Sequence, residues 1–221
     1  MRPAERACSI ALHSKPRAVV FDLLTALLDS WTLWESVARS AEWGMTWRRA
    51  YLDLTYGAGP WRAYEELVRQ AAENVAMPAA CADELAARWG ELQPWPGVPE
   101  TLDQLRSNYK LAVVTNCSEA LGRQAARIAG EFDAIVTSER AGYYKPHPRP
   151  YQLALEELGV PAAEALFVAG SAFDIPGATG VGMPVYWHNH IGLAARPGPQ
   201  ALAESREFSA LVPWLNAISA A

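Results

Sequence analysis

Apolar and polar positions divide the chain into stretches of different rhythm. Short, β-branched apolar runs that end on a polar or glycine residue occur at Arg17–Asp22, Lys110–Asn116 and Ala165–Gly170. A continuous apolar run of this length, closed by a turn signal, is the pattern of a strand buried on both faces, as in a parallel sheet. Weaker runs at Ala134–Thr137 and Val185–Trp187 predict two more strands. Helical periodicity fills the gaps at Pro99–Asn108, Ser118–Ala129 and Pro148–Leu158. Strands alternating with helices predict an α/β fold, a doubly wound, Rossmann-like parallel sheet. Such sheets bind ligands beyond the carboxyl ends of their strands. Asp22, Asn116 and Asp174 are all expected there.

From Ser30 to Gln93 the alternation stops. The segment shows no strand pattern and reads as several helices rich in Trp, Ala, Glu and Arg. It predicts a helical cap domain over residues 30–96, inserted into a core made of residues 16–29 and 97–221. Pro94-Trp95-Pro96-Gly97 is the expected return hinge, because paired prolines and a glycine stop helices and stiffen turns. Nine tryptophans, seven of them from Trp31 to Trp95, point to aromatic packing within the cap. The other reading is an apolar pocket that excludes water.

Composition narrows the classes of function. Hydrophobic residues make up 51% of the 221 residues and charged residues 19%, with a formal charge of −5. That balance carries no electrostatic footprint of a nucleic-acid partner and favours a small-molecule substrate. Cys8, Cys81 and Cys117 are too scattered for a disulfide framework, which fits a cytoplasmic protein. Met1–Lys15 lacks the apolar run of a signal peptide, and no segment has the length of a membrane span.

The candidate chemistry starts at Asp22. A carboxylate at a strand end, entering the turn Leu23-Leu24-Thr25-Ala26, can attack an electrophilic carbon or phosphorus; it can equally be an ordinary acid capping the next helix. Lys145, in Tyr143-Tyr-Lys-Pro-His147, would keep such a carboxylate ionised if it lies beside it, and is otherwise a solvated surface lysine. His188 and His190 flank Asn189 and either reach the pocket rim as acid, base or polar contacts or serve as surface or structural residues; two histidines alone do not make a metal site. Cys117 reads as a small packing residue.

In their order these pieces resemble the haloacid dehalogenase superfamily from about Arg17 onward. The matching motifs are Phe21-Asp22 with Leu27-Leu-Asp29, then Val114-Thr-Asn116-Cys-Ser118, then Tyr144-Lys145-Pro146, then Phe167-Val-Ala-Gly-Ser171-Ala-Phe-Asp174 with Gly177-Ala178 and Gly182-Met183-Pro184. Phosphatase members carry a second acid two residues after the nucleophile and an acidic pair in the last motif that binds magnesium. Here those places hold Leu24 and Gly170. The chain is more similar to the L-2-haloacid dehalogenase branch, which needs no metal. Trp47-Arg48 with Leu52 and Tyr56, and Tyr151 six residues beyond Lys145, carry that likeness.

The resemblance implies a metal-independent hydrolase with no cofactor. Asp22 would displace halide from C2 of a small carboxylate and form an ester that water then hydrolyses. Arg48 and Asn116 would hold the departing halide, and Ser118 or Thr115 the substrate carboxylate. Lys145 and Tyr151 would support Asp22, and Asp174 would position Lys145 or the water. Ser171 and Leu24 would line the site, with Trp61 or Tyr64 from the cap as walls. The chain departs from that branch at Leu24 and Thr25-Ala26, and at Ala169 and Ser171, so a different carbon electrophile, such as a strained ring, is the alternative substrate. A magnesium phosphatase and an inactive binding protein are the more distant readings. Dimers are common in the family, which makes a homodimer an expectation.

Overall fold

The computed structural model describes residues 15–219; the reading of the N-terminal segment and of Cys8 concerns residues 1–14, outside the described residues. The expected parallel sheet forms from β1 (Ala18–Phe21), β2 (Lys110–Thr115), β3 (Ala134–Thr137), β4 (Ala165–Ala169), β5 (Val185–His188) and β6 (Ala203–Ser205). Their order is β3-β2-β1-β4-β5-β6 and every pairing is parallel. β1, flanked by β2 and β4, is buried along its whole length. The chain therefore leaves the middle of the sheet at Asp22, where the strand order reverses and a crevice opens.

Helices cover both faces. α1 (Ser30–Ala38), α2 (Ala41–Ala58), α3 (Tyr64–Asn74) and α4 (Ala80–Ala87) follow β1, and α5 (Val98–Arg106) returns the chain to β2. α6 (Glu119–Ala129), α7 (Ser138–Ala141), α8 (Pro148–Leu158), α9 (Asp174–Gly180) and α10 (Leu211–Ser219) complete the set. Three of the strands read from the sequence end one residue early, so Asp22, Asn116 and Gly170 are the first residues past their ladders. β6, α9 and α10 were not foreseen. β6 is a half-exposed edge strand of three residues, and α9 contains Pro176, Gly177 and Gly180, a composition that reads as loop.

The four helices after β1 pack largely on one another. Asp29 caps α1, its carboxylate accepting from Thr32 N at 3.0 Å and from Thr32 Oγ1 at 2.6 Å. Gly44 lets α2 lie against α1, since a Cβ there would stand 2.6 Å from Glu35 Cα. Trp34, Trp47 and Trp89 are fully buried, with Trp34 and Trp47 ring centroids 4.4 Å apart. Removing one such ring costs about 3–5 kcal/mol, so aromatic packing accounts for most of the tryptophan excess. Trp43, at 48% exposure, is the exception.

The two connections of this insertion run side by side. Asp29 N donates to Gln93 O at 2.8 Å and Trp95 N to Leu27 O at 2.9 Å, with Leu28 and Pro94 bridged antiparallel. A third clamp joins the α2–α3 connection to the loop that carries Lys145: Tyr144 N donates to Gly59 O at 2.8 Å and Trp61 N to Gly142 O at 2.9 Å.

Candidate active site

Asp22 stays tied to the sheet through its backbone N–H, which donates to Val168 O at 3.0 Å. Its side chain turns into the loop that follows. Oδ2 accepts from Thr25 N at 2.9 Å, Thr25 Oγ1 at 2.6 Å and Ala26 N at 3.2 Å. Oδ1 accepts from Lys145 Nζ at 2.7 Å. The helix-capping alternative is thereby excluded, because α1 is capped by Asp29 and Asp22 closes its own turn. Burial pushes the Asp22 carboxyl up, but the Lys145 charge and the donors of Lys145 and Thr25 outweigh it and hold the group below its ordinary value.

Four neighbours brace this turn. Trp95 Nε1 donates to Thr25 O at 3.0 Å, and His188 Nδ1 lies 2.7 Å from Ala26 O. A carbonyl only accepts, so Nδ1 carries the proton; burial lowers the imidazole to about 4 and keeps it neutral. Gly170 provides the floor. A Cβ there would lie 2.2 Å from Ala26 N and 2.3 Å from Thr25 Oγ1, so no side chain fits beneath the turn. Ser30 Oγ also donates to Leu24 O, fixing the start of α1 against the loop.

Lys145 bridges two carboxylates, reaching Asp174 Oδ1 at 2.8 Å as well as Asp22. All three groups are nearly inaccessible. Burial disfavours the ammonium, but Asp174 and Asp22 more than compensate and raise Lys145 above its ordinary value, so it stays protonated. Burial, with the Asp22 charge, raises Asp174 despite Lys145. Tyr56 donates to the same Asp174 Oδ1 at 2.6 Å. The backbone of Lys145 is held by Asn116, whose Oδ1 accepts from Lys145 N at 2.7 Å and from Ser138 Oγ at 2.9 Å, and whose Nδ2 donates to Lys145 O at 3.2 Å.

A second charged centre lies in the insertion. Arg48 is 1% exposed, over the rings of Trp31 and Trp34 at 4.4 and 5.3 Å. Its Nε and one Nη are buried without a hydrogen-bond partner, as is the Tyr64 hydroxyl, and no carboxylate pairs with it among the described residues. Burial lowers its pKa; Tyr64, Tyr51, Asp22 and Asp29 act against that shift.

Asp22, Lys145, Asp174 and Asn116 thus come together as one cluster, with Tyr151 and Ser171 around it. Tyr151 is buried against Phe167, its hydroxyl 3.5 Å from Asp174 O, and Ser171 Oγ accepts from Phe173 N at 3.0 Å. The other expected residues lie outside this hydrogen-bonded cluster. The Ser118 hydroxyl donates to Glu65 of α3 at 2.6 Å, whereas Thr115 keeps a buried hydroxyl without a partner. Trp61 stacks on Tyr144 with centroids 5.2 Å apart, Tyr64 packs edge-on to Tyr51 and Trp89, and Leu24 is buried. His190 stacks on Trp95 at 4.1 Å, and burial pushes the Cys117 thiol well up, away from nucleophile chemistry. Among the described residues no group of three His, Cys, Asp or Glu side chains is placed to hold a metal ion.

Thr25, Tyr56, Trp95 and Ser138 were not foreseen as parts of the site. Thr25 was visible only as a displaced hydroxyl in the turn, and Tyr56 only as a ring on the Arg48 helix. Nothing in the sequence marks Trp95 or Ser138, whose partners lie 70 and 22 residues away.

A parallel sheet with an acid leaving its central strand, a lysine bridging it to a second acid, and a helical insertion above define a class of hydrolase. The chain belongs to the haloacid dehalogenase-like hydrolase family, which it matches over residues 16–182. It is 27% identical over 222 residues to haloacetate dehalogenase H-2 of Moraxella sp. (strain B), an alignment covering 92% of this chain and 96% of that one. It is 29% identical over 180 residues to (S)-2-haloacid dehalogenase 4A of Burkholderia cepacia, covering 73% and 78% of the two chains. The crystal structure of a dehalogenase with an intermediate complex superposes with a TM-score of 0.79 at 26% identity, covering 91% of this chain and 97% of the other.

Proposed function

We propose that the chain hydrolyses the carbon–halogen bond of small 2-haloacids, without a metal, through an ester on Asp22, with residues 30–96 acting as the cap. The observation that carries this reading is the inequality of the two Asp22 oxygens. Oδ2 is saturated by three donors, whereas Oδ1 meets only Lys145 and keeps a lone pair for attack. Oδ1 therefore attacks C2, and the C–X bonding pair leaves with the halide. Arg48 and the Tyr64 hydroxyl, buried without partners, are suited to receive that anion, together with the Asn116 N–H that Lys145 O does not use. Thr115, with its hydroxyl free, is better placed in hydrogen-bonding terms than Ser118 to hold the substrate carboxylate.

In the ester, Oδ2 becomes the carbonyl oxygen and already lies among the donors that an oxyanion needs. Water adds to Cγ of Asp22 and gives its proton to Asp174. Charge builds on Oδ2, where Thr25 N, Thr25 Oγ1 and Ala26 N stabilise it without reorganisation. Collapse breaks Cγ–Oδ1, the product alkoxide recovers the proton, and a 2-hydroxy acid departs. Asp22 regains its second oxygen from water and releases the remaining water proton to solvent, which returns it to the carboxylate. Tyr151 and Ser171 support Asp174 and its loop, and Leu24, Trp61 and Tyr64 wall the site. The relatives named for haloacetate and (S)-2-haloacid dehalogenation support the same substrate class. Against phosphoryl transfer stand Leu24, which offers no proton donor, and the Thr25 turn, which occupies the space a carboxylate at position 170 would need.

The test is halide release from (S)-2-chloropropionate and chloroacetate in the presence of a chelator, followed by one turnover in ¹⁸O-labelled water. The expected outcome is release by the wild type, a loss on the order of 10⁴-fold or more for Asp22→Asn, and label in Asp22 before it reaches product. Absence of halide release, or label entering product in the first turnover, overturns the reading.

A further inference from the structure

Asp174 has one crowded oxygen and one empty one. Oδ1 accepts both Lys145 Nζ at 2.8 Å and Tyr56 Oη at 2.6 Å, whereas Oδ2 is buried with no hydrogen-bond partner. A buried carboxylate oxygen left without a donor is costly, which suits Oδ2 to accept from a water that enters the site. Two donors converging on Oδ1 from different elements fix the rotation of the carboxylate, and that rotation decides where Oδ2 points. Lys145 alone would resist that rotation with one hydrogen bond; Tyr56 adds a second from another element.

Tyr56 is itself held in place. Its ring packs at a tilt on Phe173, centroids 5.0 Å apart, and the Arg196 guanidinium lies 3.8 Å from the Phe173 ring centroid. Burial and the neighbouring Asp174 charge push the phenol well above its ordinary value, so it remains a donor. Tyr56 also shares α2 with Arg48, eight residues away, a little over two turns and some 12 Å further along the helix.

We propose that Tyr56 is a positioning residue for the second half of the reaction: its bond to Oδ1 aims Oδ2 of Asp174 at the water that attacks the Asp22 ester. This rests on the function proposed above. The proton passes from water to Oδ2 as the water oxygen bonds to Cγ of Asp22, and Tyr56 keeps its own proton throughout. One helix of the insertion then serves both steps, with Arg48 at the leaving group and Tyr56 at the water.

The experiment separates the two half-reactions in Tyr56→Phe and Tyr56→Leu. Rapid-quench halide release gives the rate of ester formation, and intact-protein mass after the quench gives the rate of ester decay. The expected result is a fall of about tenfold or more in the ratio of decay to formation, the worth of a hydrogen bond to a charged group, in both variants. Ester should be visible by mass, and the acid limb of decay should move to higher pH because Asp174 has lost a donor to its charged form. Melting temperatures report whether each variant is folded. Formation and decay slowing equally, or a ratio that falls in Tyr56→Leu but not in Tyr56→Phe, overturns the proposal, since either would assign the effect to ring packing. A wild type that releases no halide removes the proposed function, and this inference with it.

Discussion

The molecule buries positive charge in two places and treats it in opposite ways. In the core, Lys145 sits between Asp22 and Asp174, and each of its carboxylate contacts is a short hydrogen bond. In the insertion, Arg48 is as deeply buried but lies over the aromatic faces of Trp31 and Trp34, and no carboxylate pairs with it among the described residues. The core cation has both of its counter-charges within the chain, although Asp174 Oδ2 stays without a donor. A buried cation without a paired carboxylate costs several kcal/mol, of which the two cation–π contacts of Arg48 recover about 1 kcal/mol each. A fold retains such a deficit where a ligand makes it good. Under the proposed function the contrast would divide the reaction: Asp22 is prepared before substrate arrives, whereas the Arg48 site is completed by the anion that the reaction creates.

The sharpest way to break this comparison is to remove each cation in turn. Lys145→Met leaves two buried carboxylates facing one another and should cost about 3–5 kcal/mol near neutral pH, read from denaturant midpoints. The sign of its pH dependence is fixed. Without Lys145 both carboxyls are raised above their unfolded values, so the folded state binds protons more readily and the variant gains stability as the pH falls. Arg48→Met should act in the opposite direction, raising stability by about 2 kcal/mol, the desolvation cost less the lost cation–π contacts. It should also reduce halide release by roughly 10²–10³-fold. Bromide or iodide should raise the melting temperature of the wild type and not that of Arg48→Met. A destabilised Arg48→Met would mean that the guanidinium already has its counter-charge in the empty protein.

The same contrast shows what the sequence could reveal. Apolar runs that end on polar residues made the sheet legible, because burial on both faces leaves a continuous pattern. Asp22, Asn116, Lys145 and Asp174 were legible as polar groups at strand ends or in the loops after them, where topology gathers them. Arg48 entered only through the family likeness of Trp47-Arg48, since an arginine on an amphipathic helix otherwise reads as a solvated face. The commitment of Ser118 to Glu65 could not be read, because that bond joins residues 53 apart that no periodicity relates. The same holds for Trp95 reaching Thr25 O and His188 reaching Ala26 O. Thr25 is the instructive case. Aligned by position its hydroxyl looked displaced, yet a turn this tight delivers it to Asp22 Oδ2 at 2.6 Å.

Thr25 also provides the finest test of the core centre, because it supplies two of the three donors on Oδ2 and only one of them is a side chain. Thr25→Val keeps the shape that fits over Gly170 and removes that hydroxyl alone. A hydrogen bond to a charged group contributes about 1.5 kcal/mol, close to one pH unit in the ionisation of Asp22. Asp22 is held below its unfolded value, so its contribution to stability is present above that value and disappears as the pH falls through the folded one. The stability gap between wild type and Thr25→Val should therefore be full at neutral pH and close toward pH 3, in melts run across that range. The acid limb of halide release should move up by about one unit, with formation of the ester little changed at pH 7, where Asp22 stays ionised. Ester decay should slow by roughly 10²-fold at the same pH, since the oxyanion on Oδ2 has lost one donor of three. A variant with an unshifted acid limb and an unchanged decay rate would show that the two backbone N–H groups suffice, and that the hydroxyl serves only to shape the turn.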